Sequence, residues 1–153
     1  MKTFASITLA DALELQAHLL EVAAADGDDR VAICVVDARG WQLSAATMDG
    51  VDPTTVGFAL AKAATAVYSR RDTVCLRHAQ NDAGRWLLEH NPSWSQHDIT
   101  VASAVCPTFC AWAGGVVVLS PHDGIVVGGI GVSGRSELAD HQLASQRPPG
   151  WSQ

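Results

Sequence analysis

The chain has 153 residues, of which 48% are hydrophobic and only 17% charged, and its 16 acidic and 10 basic residues give a net charge of −6. This length and composition are typical of one globular domain with a substantial core, which excludes a disordered chain. The acidic balance, with Arg70-Arg71 as the only basic pair, argues against nucleic acid and against an anionic membrane surface as partners.

The cellular setting is predicted from apolar runs and cysteines. No apolar run reaches the length of a membrane span, and acidic residues interrupt the N-terminal stretch that a secretory signal needs. We therefore expect a cytoplasmic protein with free thiols. A chain of such low charge leaves apolar surface uncovered, so we also expect a homo-oligomer. The four cysteines are Cys34, Cys75, Cys106 and Cys110.

A helix is predicted over residues 8–25. Thr8 and Asp11 have capping-box spacing, with Asp in place of the usual Glu. Residues 26–28 contain a glycine that ends the helix. Leucines and alanines recur along it at helical spacing: Leu9, Ala12, Leu13, Ala17, Leu20 and Ala24.

Two strands are predicted next. The β-branched run over residues 31–36 indicates a fully buried strand, in which Cys34 is a small core residue. Residues 37–40 form a turn and residues 41–48 a returning strand. Strands joined by so short a turn pair antiparallel.

The middle of the chain is predicted to be helical and then irregular. Thr54 or Thr55 caps a helix to residue 69, whose alanines allow close approach to the sheet. A third helix covers residues 73–89, and a proline ends it. Residues 91–113 are the least regular stretch and are assigned one further strand.

The last third repeats the hairpin pattern. Strands are predicted over residues 115–119 and 124–132, joined by a turn with an Asp-Gly pair, and a helix follows over 136–145. Residues 147–153 are a tail.

This element order predicts an α+β fold. A central antiparallel sheet of about five strands carries the helices. We expect one domain over residues 1–153, with its core at about 8–146.

Several motifs occur in a defined order along the chain. They are Met48-Asp49-Gly50, the alanine-rich segment around Lys62, Gly114-Gly115, the glycine-rich run 128–134 and Asp140. Together they resemble the GlcG/HbpS family of haem-binding or haem-degrading proteins, which includes the C-terminal domain of PduO-type proteins. The resemblance implies a profilin-like fold, a homo-oligomer and, in some members, bound haem or a role in iron or corrinoid handling.

The sequence departs from the family pattern at two positions. Thr47 stands where the family usually has Arg before Met-Asp-Gly, and Val117 where it usually has Pro. The first change removes a guanidinium that could pair with a haem propionate, and the second removes a rigid loop residue.

Two charged residues are candidates for catalysis. Asp49 closes a strand, where it either stabilises a turn or offers a carboxylate at a pocket mouth. Lys62 lies among helix alanines and must extend to solvent or pair with an anion, for which Asp49, Asp37 and Asp140 are candidates. With a lowered pKa, Lys62 could instead act as a base or an anion clamp.

Histidines and thiols supply the metal-binding candidates. His18, late on the first helix, is either a surface residue or an axial haem ligand. His97 lies in the irregular stretch, and the other histidines, at 78, 90, 122 and 141, are expected to face solvent. Cys106 and Cys110 are either unconnected small residues or soft ligands and nucleophiles.

Ligand contacts are predicted around the loop before residue 115. Trp112 offers an apolar wall, or an interface anchor, and Gly114 and Gly115 leave room for a ligand. Met48 and Ser133 complete the predicted ligand-binding set.

Two functions compete, beside a purely structural oligomer. The first is a small-ligand-binding protein of the GlcG/HbpS type, with haem or a related tetrapyrrole held by His18 or a loop thiolate. The alternative is a cofactor-independent enzyme acting on a small organic molecule in a Trp-lined pocket. Its acid, base or nucleophile would come from Asp49, Lys62, His97 and Cys106.

Overall fold

The computed structural model describes residues 5–76, 104 and 108–151. Within them the element order is helix, two strands, helix, two strands and helix. The helices are α1 (Leu9–Ala25), α2 (Pro53–Ser69) and α3 (Glu137–Ala144), with a 3-10 turn at Thr73–Cys75. The strands are β1 (Ala32–Asp37), β2 (Gln42–Thr47), β3 (Gly115–Leu119) and β4 (Val126–Ser133).

The four strands form one antiparallel sheet in the order β2-β1-β4-β3. The α+β class is therefore confirmed, but the sheet in the described ranges has four strands instead of about five. The additional strand was assigned to residues 91–113, most of which lie outside the described residues. The Asp-Gly hairpin is confirmed, because β3 and β4 pair directly and Ser120 N–H donates to the Ile125 carbonyl across their turn.

The capping box at the start of α1 is also confirmed. The Asp11 carboxylate accepts from Thr8 N–H at 2.7 Å, and Thr8 Oγ1 accepts from Asp11 N–H at 3.2 Å. The buried side of α1 consists of Ala12, Leu15, Leu19 and Ala23. Leu9 and Leu13, two of the recurring leucines, are instead 53% and 49% exposed.

Helices cover both faces of the sheet. Ile33 and Val35 of β1 pack in one cluster with α1 and the end of α3, whereas Cys34 and Val36 pack with α2. Gly131 of β4 lies against the backbone of Ala59 in α2, so that a side chain there would meet the helix itself. This glycine therefore allows the chain's own helix to approach the sheet closely.

The predicted third helix begins differently from expectation. Thr73–Cys75 is one 3-10 turn, and residues 77–89 of the prediction lie outside the described residues. Asp72 precedes the turn without capping it, because its carboxylate accepts Val117 N–H at 2.9 Å. A long-range bond to β3 thus replaces the local cap that a regular helix would use.

The C-terminal segment packs on the domain. Arg147 donates to the Val117 carbonyl at 2.6 Å, Pro148 is buried and Trp151 contacts the α1 side of the core. His141, expected to face solvent, is partly buried, and its Nδ1 is a buried atom without a hydrogen-bond partner. No helix in the described ranges combines the length and the apolar character that crossing a membrane requires.

Candidate functional site

Lys62 forms a buried ion pair with Asp140. Its ammonium donates to Asp140 Oδ2 at 2.8 Å and to the Val132 carbonyl at 3.0 Å. Both side chains are only 2% exposed. Of the three partners considered from the sequence, the structure therefore selects Asp140, which lies 78 positions along the chain.

Asp140 is held by a second bond as well. Its Oδ1 accepts the backbone N–H of Arg135 at 3.0 Å, so both carboxylate oxygens have donors. Burial raises the pKa of Asp140, while the neighbouring Lys62 ammonium acts to lower it. The ion pair therefore connects α2 and α3, helices that pack on opposite faces of the sheet.

Gly114 fits tightly against this pair. Its φ is +120°, and a Cβ there would lie 2.5 Å from the Val132 carbonyl oxygen, 2.9 Å from Asp140 Cβ and 3.1 Å from Lys62 Nζ. The space beside Gly114 is thus filled by the Val132 carbonyl and the ion pair. The absence of a side chain at Gly114 leaves room for the Lys62–Asp140 ion pair, although the sequence suggested room for a ligand.

Two threonines fix the segment that leads into β3. Thr73 Oγ1 accepts Gly115 N–H at 2.9 Å and donates to the Trp112 carbonyl at 2.8 Å. Thr65 Oγ1 accepts Cys110 N–H at 2.8 Å. Residues 110–115 are therefore held against α2 and the 3-10 turn, which positions Trp112.

An exposed aromatic pair lies beside this segment. The rings of Phe58, on α2, and Trp112 stack with centroids 5.4 Å apart and an interplanar angle of 17°. Phe58 is 41% and Trp112 45% exposed. Two nearly parallel rings with this exposure offer a flat apolar contact surface.

Met48 and Asp49 lie elsewhere, at a pair of open clefts. A cleft of about 350 Å³ is lined by Met48 and Asp49 with the end of α1, and one of about 520 Å³ is lined by Gly50, Asp52 and Gly134. Neither lining includes Lys62, Trp112, Gly114 or Gly115. The structure therefore divides the predicted site residues between two places.

Arg30 lines both clefts and donates to the Asp49 carbonyl oxygen. A guanidinium thus lies beside the Met48-Asp49-Gly50 turn, although Thr47 replaced the expected arginine. Three carboxylates, of Asp28, Asp29 and Asp52, border the larger cleft. This polar, mainly acidic lining suits a small polar ligand better than a flat apolar one.

The remaining predicted residues are separate from both places or lie outside the described residues. His18 is partly buried on α1, and Ser133 is buried at the end of β4, opposite Ala32. His97 and Cys106 are among the residues that the structure does not describe. Within the described ranges, no three His, Cys, Asp or Glu side chains form a group that could hold a metal ion.

The described cysteines differ in burial. Burial raises the pKa of the Cys34 thiol to about 12, as expected for a core residue. Cys75 and Cys110 are partly buried.

Sequence reasoning missed Phe58, Thr73 and Arg135. Arg135 makes a bidentate ion pair with Asp26, at 2.7 and 2.9 Å, and ties the end of α1 to the β4–α3 turn. None of these contacts has a local spacing signal, because each joins residues at least 39 positions apart.

The chain is similar to a known protein family and to several solved structures. A family model described as "haem degrading protein HbpS-like" matches residues 7–147. HbpS from Streptomyces reticuli, solved as a double mutant, is 28% identical with a TM-score of 0.70, over 94% of this chain and 86% of that chain.

Two further structures show the same fold at lower identity. Protein ORFY from Klebsiella pneumoniae is 24% identical with a TM-score of 0.74, covering 94% of this chain and 89% of that chain. A PduOC–haem complex is 23% identical with a TM-score of 0.71, covering 97% and 99%. No functionally curated protein matches the sequence.

Proposed function

Because the chain belongs to the HbpS-like family of haem-degrading proteins, we propose that it is a small-ligand-binding protein that takes haem or a related tetrapyrrole. The family match over residues 7–147 is the observation that carries this proposal. The PduOC neighbour, which has the same fold, was solved in complex with haem.

The ligand surface that we propose is the Phe58–Trp112 pair. A tetrapyrrole is flat and largely apolar, so it gains most from parallel aromatic faces that are already partly open to solvent. The stacked rings have this geometry, and the hydrogen bonds of Thr73 and Thr65 hold the Trp112 segment in place. The ligand would therefore meet a preformed surface.

The described residues also include two kinds of iron ligand. Cys110 offers a thiol two positions before Trp112, whereas His18 offers an imidazole on α1, which packs on the other face of the sheet from α2 and Phe58. Haem bound at the Phe58–Trp112 surface would supply an iron centre for the Cys110 thiol to ligate, and His18 would ligate only haem bound on the α1 face. Lys62 is buried in its ion pair with Asp140 and is therefore not accessible to a haem propionate. Arg30 lies at the separate clefts and not beside the aromatic pair.

Titration with haemin tests the proposal. The wild-type protein is expected to give a sharpened Soret band that saturates at a fixed stoichiometry. Trp112→Leu and Phe58→Leu should each weaken haemin binding about tenfold or more, which corresponds to roughly 1.4 kcal/mol. Tyr68→Leu is the matched control, since Tyr68 is also an exposed aromatic on α2, at 50%.

The iron ligand is identified by the same titration. If Cys110 is the ligand, Cys110→Ser shifts the Soret maximum and His18→Ala leaves it unchanged; the reverse result would mean that haem binds on the α1 face, away from Phe58 and Trp112. No specific binding by the wild-type protein, or equal weakening in the Tyr68→Leu control, would contradict the proposed site.

We also propose the finer properties expected from the sequence and from the family resemblance. They are a profilin-like arrangement of the α+β fold, a single domain over residues 1–153, self-association and a cytoplasmic location. Helices on both faces of the sheet support the first, and the packing of Arg147 and Trp151 on the body supports the second.

A further inference from the structure

Exposed arginines are concentrated at the end of α2. In the described ranges four basic side chains are exposed, and three of them, Arg39, Arg70 and Arg71, lie at this end of the sheet. The turn between β1 and β2 lies against the last turn of α2, because a Cβ at Gly40 would be 2.7 Å from Cε1 of Tyr68. A chain whose net charge is −6 therefore carries a local basic surface here.

Two exposed aromatic rings accompany these arginines. Tyr68 is 50% exposed, and Trp41, which follows Gly40 in the chain, is 72% exposed. Tryptophan, tyrosine and arginine are the residue types that most often dominate the binding energy of protein–protein interfaces. We call Trp41, Tyr68, Arg70 and Arg71 the aromatic–basic surface.

The backbone of Arg70 has an unfavourable conformation. Its φ of 56° and ψ of 31° are left-handed, and in the described ranges no other residue except glycine has a positive φ. Glycine usually occupies this position after a helix, because it has no Cβ to be strained. An arginine kept here at a cost in strain indicates that its side chain serves a function other than ending the helix.

The end of α2 does not depend on either guanidinium. Arg70 N–H donates to the Val67 carbonyl at 3.2 Å, and Arg71 N–H donates to the Ala66 carbonyl at 3.1 Å, so backbone donors satisfy these carbonyls. Neither guanidinium forms a hydrogen bond or an ion pair with any residue that the structure describes. Both groups are therefore available to a ligand.

The aspartates closest in sequence use their carboxylates elsewhere. Asp37 Oδ1 accepts the backbone N–H groups of Arg39 and Trp41, at 2.8 and 2.9 Å. Asp72 accepts the backbone N–H of Val117 at 2.9 Å. The positive charge of the aromatic–basic surface is thus left for an anion from outside.

We infer that the aromatic–basic surface binds a short acidic segment of another protein, one that also carries an apolar side chain. Carboxylates of the segment would pair with the guanidiniums of Arg70 and Arg71, which suit bidentate hydrogen bonds. The apolar side chain would lie on the rings of Trp41 and Tyr68.

The open shape and the small size of this surface select the occupant. A small ligand is usually about 70–90% buried in its site, which rings as exposed as Trp41 and Tyr68 do not provide. A nucleic acid would extend beyond the few arginines onto a protein with a net charge of −6. A short acidic segment is large enough to cover the rings and small enough to match the charge.

Binding of a labelled peptide tests the inference. The probe is a short peptide of glutamates around one phenylalanine, measured by fluorescence anisotropy, and its matched control has lysines in place of the glutamates. The wild-type protein should bind the acidic peptide about tenfold or more tightly than the basic one, and less tightly as salt is added. Equal affinity for the two peptides, or equally tight binding of a single-stranded oligonucleotide of the same charge, overturns the inference.

The variant Arg70→Gly separates binding from stability. It relieves the left-handed strain, so its Tm should equal or exceed that of the wild type, while its affinity for the acidic peptide should fall about fivefold or more. Arg30→Gln, at the exposed arginine beside the other end of β1, should keep the wild-type affinity. Unchanged affinity in Arg70→Gly, or a lower Tm, overturns the inference, because the side chain would then serve the helix end or nothing.

Two further measurements on Arg70→Gly identify the occupant. Light scattering should give the same mass as for the wild type, and a lower mass would mean that the surface holds a second copy of the chain, which contradicts a separate partner. Haemin titration should also be unchanged, because Phe58 lies ten positions before Tyr68, about 15 Å away along α2. The outcome is therefore separate from that of the proposed ligand.

Discussion

Lys62 Nζ lies 2.8 Å from Asp140 Oδ2, with both side chains 2% exposed and the backbone of Val132 and Arg135 completing their hydrogen bonds. The two residues come from helices on opposite faces of the sheet. A buried pair of this kind costs desolvation energy, and its stability rests on the bonds being complete. Loss of this ion pair should therefore first lower the stability of the fold.

We predict that Lys62→Met strongly destabilises the protein. The change leaves the Asp140 carboxylate buried without its counter-ion, which costs about 3–5 kcal/mol. Urea unfolding measures the loss, and Arg71→Met, at an exposed residue, should cost less than about 0.5 kcal/mol. The double variant Lys62→Met with Asp140→Leu should recover part of the stability, because no charge is then left unpaired. If Lys62→Met alone is as stable as the wild type, the ion pair does not stabilise the fold.

Gly114→Ala is predicted to be more damaging than another glycine substitution with positive φ. Gly114 has a φ of +120° and its Cβ position is crowded by Asp140 and Lys62, whereas Gly27 has a φ of +70° and nothing within 4 Å. Backbone strain alone costs about 1–3 kcal/mol, and Gly114→Ala adds a steric clash to it. Thermal unfolding should show the larger decrease in Tm for Gly114→Ala. Equal decreases would mean that the crowding around the Gly114 Cβ position contributes nothing.

Thr73→Val should loosen the Trp112 segment. Thr73 is fully buried, and its hydroxyl bonds both Gly115 N–H and the Trp112 carbonyl. The nearly isosteric valine leaves these groups unpaired, at about 1–3 kcal/mol for each. Chemical unfolding gives the stability, and Thr47→Val, at an exposed threonine, is the control. If haemin binds at Phe58–Trp112, Thr73→Val should weaken it as well.

Stability is predicted to fall as the pH decreases below about 6.5 because of His141. Burial lowers the pKa of its imidazole, while Asp72 opposes this effect and the Arg147 guanidinium lies in the same C-terminal region. The unfolded chain therefore binds a proton near pH 6.5 that the folded chain accepts only at lower pH, and protonation favours unfolding.

Thermal unfolding between pH 7.5 and 5.5 measures this dependence. His141→Gln should show a smaller loss of Tm over that range than the wild type. His122→Gln, at an exposed histidine, should keep the wild-type dependence. The same pH profile in all three proteins would exclude His141 as the cause.

The sequence by itself determined the local elements and their order. The Thr8–Asp11 capping box, the β-branched run of β1 and the Asp-Gly hairpin all appear where expected, because each depends on residues within a few positions. The family resemblance was likewise carried by short motifs in a fixed order, and the family match confirms it.

Tertiary structure decided which surfaces and partners these elements use. Leucines at helical spacing predicted α1, but packing buried Leu15 and Leu19 and left Leu9 and Leu13 exposed. Helical periodicity gives the spacing of a face, whereas the sheet and α3 determine which face is covered.

The candidate site shows the same limit. The sequence predicts that a lysine among alanines either extends to solvent or pairs with an anion. That Lys62 pairs, and with Asp140 instead of Asp49, depends on where β4 and α3 bring their residues in space. The hydrogen bonds at the edge of β3 similarly join the backbone of Val117 to the side chains of Asp72 and Arg147, across 45 and 30 positions. The local sequence determines which charges and backbone groups require a partner. Only the folded chain brings those partners, which are distant in sequence, into contact.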